Sequence, residues 1–368
     1  MRKWQRKEKQ LTQRISFPPR GPFFDELKSR VDAYFAASGQ HATGNWRLYL
    51  KTVFSYGLAI FSYVMLVWGV EQWWTAALAA FGLVQGYVLI AFNVMHDGAH
   101  GSYSGKRWLN WIMGASMDVI GGSQMMWRQK HNMLHHTYTN VEGKDDDIAI
   151  GSLMRLSPYQ PWKPWHRLQH WYAPVLYSFL TLYWMLFSDW QKLLSGKIGD
   201  TPLQQRAWWE TPYFVLTKFI YVGYTLVVPM LFHPVWMVLV CFVGIHLLFG
   251  FILSVVFQLA HTVEGAAFLQ PDSNGKMQDE WAIHQVRTTA DFAPTSWLAT
   301  FYMGGLNFQV EHHLFHKVSH IHYPAISRIV RETCAEFNVP YHSFASVGLA
   351  LKAHFRFLQR MGQPPAIA

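Results

Sequence analysis

The stretch TAALAAFGLVQGYVLIAFNVM, Thr75–Met95, runs without a charged residue directly into His96-Asp97-Gly98-Ala99-His100. About twenty apolar residues suffice for a helix to cross a hydrocarbon core of about 30 Å, so this stretch predicts a membrane span that ends in a pair of histidines. The preceding run, Thr52–Val70, is also free of charge. Its linker to the next span, Glu71–Trp74, holds no Lys or Arg, whereas Arg47, Lys51, Lys106, Arg107, Arg128 and Lys130 flank the opposite ends. Basic residues accumulate on the cytoplasmic side, which predicts a hairpin with its histidine end inside. A second hairpin, Tyr213–Phe232 and Val235–Ala260, is divided by His233-Pro234 and carries Lys218 where it can snorkel to the interface.

Working outward, 51% of the 368 residues are hydrophobic and only 14% charged, against about 25% charged in soluble domains. A freely soluble globule is therefore excluded, and an aromatic content of 17% excludes disorder. The net charge of +9 sits beside apolar runs, which suits a lipid surface or an anionic head group rather than nucleic acid. Arg128, Lys130 and Arg287 are the candidates for such contacts. Two cysteines, Cys241 and Cys334, indicate neither a disulfide framework nor a thiolate metal site.

The basic start, MRKWQRKEKQLTQR, is not followed by the apolar core of a secretory signal, so residues 1–51 are expected to form a cytoplasmic segment. Within it, Phe23, Phe24, Leu27, Val31, Tyr34 and Phe35 recur at helical spacing, an amphipathic helix that lies either on the bilayer or on the protein's own core. The membrane domain is expected over 52–322. The tail, 323–368, reads as two cytoplasmic amphipathic helices split at Pro340. Trp171–Ser188 is apolar but short for a span and holds Pro174 near its start.

Among 19 histidines, four groups stand out: His96 and His100; His131, His135 and His136; Gln309-Val310-Glu311-His312-His313; and His261, which ends the last apolar run. Residues i and i+4 share a helix face, so each pair presents two imidazoles to one point, and Gln309, His312 and His313 do the same at i, i+3 and i+4. A site rich in imidazole nitrogen binds iron, copper, nickel or zinc. Eight histidines exceed the four that one tetrahedral zinc uses, which implies two metals, about 3.5–4 Å apart as in other paired sites. A single site requires all four groups on one side of the membrane. The chain must then cross an even number of times between His136 and His261, so Trp171–Ser188 is expected to lie at the interface or return on the same side, and four spans result.

The boxes His-Asp-Gly-Ala-His, His-Asn-Met-Leu-His-His and Gln-Val-Glu-His-His, set around two apolar hairpins, resemble those of the membrane fatty acid desaturases. Gln309 in place of a histidine resembles the front-end branch, which desaturates between an existing double bond and the carboxyl end. The resemblance implies two iron ions, O2 as co-substrate, and an acyl-CoA or acyl-lipid substrate. Many front-end members carry a fused cytochrome b5 domain with a His-Pro-Gly-Gly motif. That motif is absent here, so a separate donor is expected, cytochrome b5-like or a ferredoxin with its reductase. The family commonly has Leu-Phe-Pro after the third box, where this chain has Leu314-Phe315-His316, which leaves open whether His316 joins the site.

The expected protein is thus an all-α integral membrane enzyme of the bacterial inner membrane or endoplasmic reticulum, with four transmembrane helices and a cytoplasmic helical cap around a di-iron site. His96, His100, His131, His135, His136, His261, His312 and His313 are the expected ligands, Gln309 a weak or water-mediated one. Asp97, Asp145, Asp147 and Glu311 are candidates for orienting the ligands, a solvated acidic turn being the alternative for Asp145-Asp146-Asp147. The apolar, aromatic-rich interior is expected to hold the acyl chain in a tunnel. His246, about 22 Å from His261 at helical rise, reads as a hydrogen-bonded histidine within the bundle. His41, His166, His170, His233, His284, His320, His322, His342 and His354 read as ordinary surface or interface residues. Hydroxylation by the same centre is the nearest alternative chemistry. A metal transporter or receptor is the alternative class, but would place its ligands near the bilayer midplane.

Overall fold

The computed structural model describes residues 15–365; the basic run at 1–14 lies outside the described residues. Among the described residues four helices are long and apolar enough to cross a membrane: α2 (Trp46–Gly69), α3 (Trp73–His100), α6 (Glu210–Met230) and α7 (Val235–His261). They follow α1 (Pro22–Ser38). Between the hairpins come α4 over 124–138 and the kinked α5 over 169–195. After them come α8 (Trp281–Thr288), α9 (Gln309–Leu314), α10 (Tyr323–Glu336) and α11 (Val347–Gly362). Among the described residues, beta structure is confined to the antiparallel pair β1 (Lys197–Ile198) and β2 (Thr201–Pro202), the parallel pair β3 (Asp291–Phe292) and β4 (Ser343–Phe344), and a bridge between Ser16 and Lys276.

The chain is a membrane protein. Its spans display Val53, Phe54, Phe61, Leu78, Phe219 and Val240 to their surroundings, as lipid-facing helices do, and Trp73, Trp74 and Trp236 stand exposed at the ends away from the histidines, where aromatic belts form. α3 is the central span: 56% of its most apolar eighteen residues are buried, against 22% in α2 and in α6. It packs closely on α2 because Gly86 has no side chain; a Cβ there would stand 2.8 Å from the Ala59 backbone. Small residues permit this approach where no hydrophobic effect drives helices together.

α5 lies along α7. Gly250 opens the contact, since a Cβ there would meet the Ser178 carbonyl at 2.5 Å. Thr181 donates to the His246 carbonyl and Ser254 to that of Tyr177. At one end Gln169 donates to Leu358 of α11; at the other, Lys192 donates to Asp146. Both ends of α5 thus meet the histidine-bearing half of the molecule. Lys218 does not snorkel. It is buried, donating to the carbonyls of Gly121 and Gly122 and, at 2.7 Å, to Asp189 of α5, because a charge removed from water needs a full set of partners.

A helical cap closes the histidine end. Phe23 and Leu27 of α1, Ala282 and Val286 of α8, Val310 and Leu314 of α9, and Val330 and Cys334 of α10 form one buried cluster. Each large side chain buried this way contributes about 1.5–3 kcal/mol. The amphipathic stripe of α1 is therefore spent on the protein's own core. Arg30 fastens α1 to α10 by two hydrogen bonds to Glu336, 2.8 and 2.6 Å long. The tail forms its two helices, α10 and α11, with β4 between them pairing with β3.

Candidate metal centre

Two changes in helix geometry and one short helix bring the histidines together. The last turns of α3 widen to a π-helix over Ile90–Met95, where the His96 N–H reaches back five residues to the Ala91 carbonyl. In α4 a longer π stretch, Arg128–His135, lets the His136 N–H bond the His131 carbonyl. Wide turns of this kind concentrate at functional sites. Here the turn aligns His131 with His136 as well as with His135, so His136 is a full member of the face, with its Nε2 3.2 Å from that of His131. The short α9 then brings in His312 and His313.

The imidazoles form two neighbouring groups. Ligand nitrogens of His96, His100, His131 and His312 all lie within 4.8 Å of one another, as do those of His135, His261 and His313. His136 lies between the groups, its ring centre 4.6 Å from that of His312 and 4.4 Å from that of His313. All eight side chains are buried. His316 stands beside them, 5.1 Å from His136 and 5.5 Å from His100 between ring centres.

These residues fit metal ions. His96 Nε2, both nitrogens of His100, His136 Nδ1, His261 Nδ1, His312 Nε2 and His313 Nε2 are buried without a hydrogen-bond partner, an expensive state for polar atoms unless something binds them. Their partnered nitrogens are held by neighbours. His135 Nδ1 lies 3.1 Å from both carboxylate oxygens of Asp145, and His313 Nδ1 lies 2.8 Å from Gln285 Oε1. Both partners only accept, so each Nδ1 carries the proton and each Nε2 keeps its lone pair. The Tyr323 hydroxyl lies 3.1 Å from His312 Nδ1.

Burial and the neighbouring imidazoles hold His131, His136, His312 and His313 well below the usual histidine range, so these rings are neutral and able to ligate. Burial pushes His135 the same way, but Asp145 and Asp147 outweigh it and hold its ring above the usual range. That raises its basicity as a donor.

The carboxylates divide. Asp145 is buried and accepts from the Asn140 N–H, whereas Asp146 is half-buried and pairs with Lys192. Asp147 lies 3.3 Å from His135 Nδ1 and 2.6 Å from Lys130. Asp97 instead accepts from Ser319 and His320, because a residue adjacent to His96 projects from a different side of the helix. Glu311 shares Tyr341 with Asp291, and burial with repulsion from Asp291 pushes it far above the usual carboxyl range. Lys130 and Arg287, expected to meet a head group, are paired with Asp147 and Asp279; Arg128 is exposed. Gln309 is buried at the first position of α9.

Several histidines expected to be ordinary surface or interface residues are buried and bonded within the protein: His166 to Ser152, His354 to Tyr177 and Thr262, His322 to Thr43. His246 is bonded through both nitrogens, to Thr181 and Tyr221. Gln285 and Tyr323 escaped the sequence reading because nothing in the sequence around either marks a hydrogen bond to a box histidine. A small apolar cavity of about 20 Å³ adjoins the cluster, lined by His96 and Trp127 together with Phe92, Met117, Leu253 and Phe257.

The sequence model of a family described as "Fatty acid desaturase" matches residues 71–345. The chain is 36% identical over 356 residues to the sn-1 linoleoyl-lipid 6-desaturase of Arthrospira platensis, covering 96% of each chain. It is 34% identical to the enzyme of the same name from Synechocystis sp., covering 95% of this chain and 98% of that one. It is 37% identical to the acyl-lipid (8-3)-desaturase of Physcomitrium patens, covering 92% of this chain and 72% of that one.

Proposed function

The chain belongs to the fatty acid desaturase family, and we propose that it is a front-end acyl-lipid desaturase, acting between an existing double bond and the carboxyl end of the chain. The observation that carries this reading is the convergence of eight buried imidazoles, most with an unpartnered nitrogen, beside an apolar cavity. His96, His100, His131 and His312 would hold one iron, His135, His261 and His313 the other, with His136 between them.

Such a centre, reduced by a separate donor and supplied with O2, provides the oxidising power to break unactivated C–H bonds that no acid or base side chain can break. Overall, two hydrogens leave adjacent carbons, two electrons and two protons enter, and O2 leaves as two waters. The chain's own part is placement. Asp145 and Gln285 hold the rings of His135 and His313 with Nε2 toward the centre. Phe92, Met117, Leu253 and Phe257 line the apolar space beside His96 and would exclude water and seat one pair of methylenes there. Both ends of α5 return to the same face, which we read as cytoplasmic from the distribution of Lys and Arg.

The test is expression in a host without polyunsaturated lipids, feeding of linoleate, and mapping of new double bonds by gas chromatography with mass spectrometry. A new cis bond on the carboxyl side of the existing ones is expected. A hydroxylated product would instead assign the chain to the hydroxylases, and no product from metal-loaded protein with its donor would refute the reading.

A further inference from the structure

We propose that His316 supplies a ninth imidazole to the centre, on the side of His100 and His136. This rests on the reading of the cluster as a metal site. α9 ends at Leu314, and the non-helical backbone of Phe315 turns the chain so that His316 lies over the cluster instead of continuing away from it. Its ring centre is 5.1 Å from that of His136 and 5.5 Å from that of His100. Pairs of box imidazoles show the same spacing: 4.8 Å for His100 and His136, 5.9 Å for His131 and His312.

Its Nδ1 is buried and has no hydrogen-bond partner. His170 and His284 also leave Nδ1 unpartnered, but their ring neighbours are Trp171 and Phe355 in one case and Phe17 in the other. The ring neighbours of His316 are two other imidazoles whose own nitrogens are orphaned. Mere filling of the space would be served by an apolar side chain, which leaves no polar atom without a partner. An ion held through His100, beside His136, would give the orphaned nitrogen of His316 a partner, and His316 would close a position there otherwise left to water.

Cobalt(II) is the probe, since its visible spectrum reports coordination number, and the test uses the full chain purified in detergent. Wild-type protein should take up two cobalt ions. In His316→Ala one of the two should be lost to a chelator at least tenfold faster, with a changed spectrum for that ion, an unchanged partner ion, and the same thermal unfolding of the metal-free protein. Added imidazole should restore the spectrum. His316→Gln, which keeps bulk and polarity, should show a loss in the same direction. Two ions retained at wild-type rates with an unchanged spectrum in both variants would overturn the role of His316. Failure of the wild-type chain to hold a pair of ions would overturn the metal-site reading itself.

Discussion

His135 donates from Nδ1 to Asp145 across 3.1 Å, inside the protein, with both side chains almost fully buried. The carboxylate fixes the tautomer and the direction of the ring, and so decides which nitrogen faces the cluster. Asp145→Asn keeps the shape but removes the charge. It should weaken metal binding about 10–100-fold, measured by competition with a chelator, while the chain still folds. Wild-type affinity would mean that Asp145 serves only to order its own turn through Asn140 and Asp147.

Gln309 occupies the box position that histidine holds in other desaturase branches. If its amide oxygen ligates weakly or holds a bound water, Gln309→Ala should lose most of its turnover per bound metal pair, and Gln309→His should keep part of it. Near-wild-type turnover per metal pair in Gln309→Ala would remove Gln309 from the centre and leave it a packing role at the start of α9.

Lys218 and Asp189 join α6 to α5 in a buried pair. Removing one partner strands the other, so Lys218→Met should destabilise the protein by about 3–5 kcal/mol. The double change Lys218→Met with Asp189→Leu should recover much of that. Reversible unfolding in mixed detergent measures both. A double variant no more stable than the single one would show that the carbonyl contacts of Lys218 with Gly121 and Gly122, rather than its charge partner, hold the joint.

The path of α5 is tested by labelling. Ser152 and Ser195 flank it at exposed positions, and single cysteines there, in a background of Cys241→Ser and Cys334→Ala, should both react from the cytoplasmic side. Reaction from opposite sides would separate the histidine groups and break the single-site reading.

Much of this was legible in the sequence, for identifiable reasons. The spans announce themselves because a bilayer demands long charge-free runs, and the boxes because their spacings put histidines on one helix face. What stayed hidden depends on distant parts of the chain meeting. Nothing near Gln285 shows that it will touch His313, and nothing near Asp97 shows that His320, more than two hundred residues away, will take its carboxylate. The π turns of α3 and α4 are also unreadable from periodicity, since they shift a face by one residue without changing composition. Lys218 resembled a snorkelling residue because its partner Asp189 lies in α5, whose path composition did not disclose.

The central claim is that one cluster of histidines holds a pair of iron ions. Its most direct test is elemental analysis of the purified chain after anaerobic loading with ferrous iron, beside His131→Ala, His135→Ala, His312→Ala and His313→Ala. Zinc is counted too, because divalent affinities do not favour iron. Two metal ions per chain in the wild type are expected, with fewer in each variant and no desaturated product from any of them. At most one ion per chain at full occupancy, under every loading condition, would contradict it.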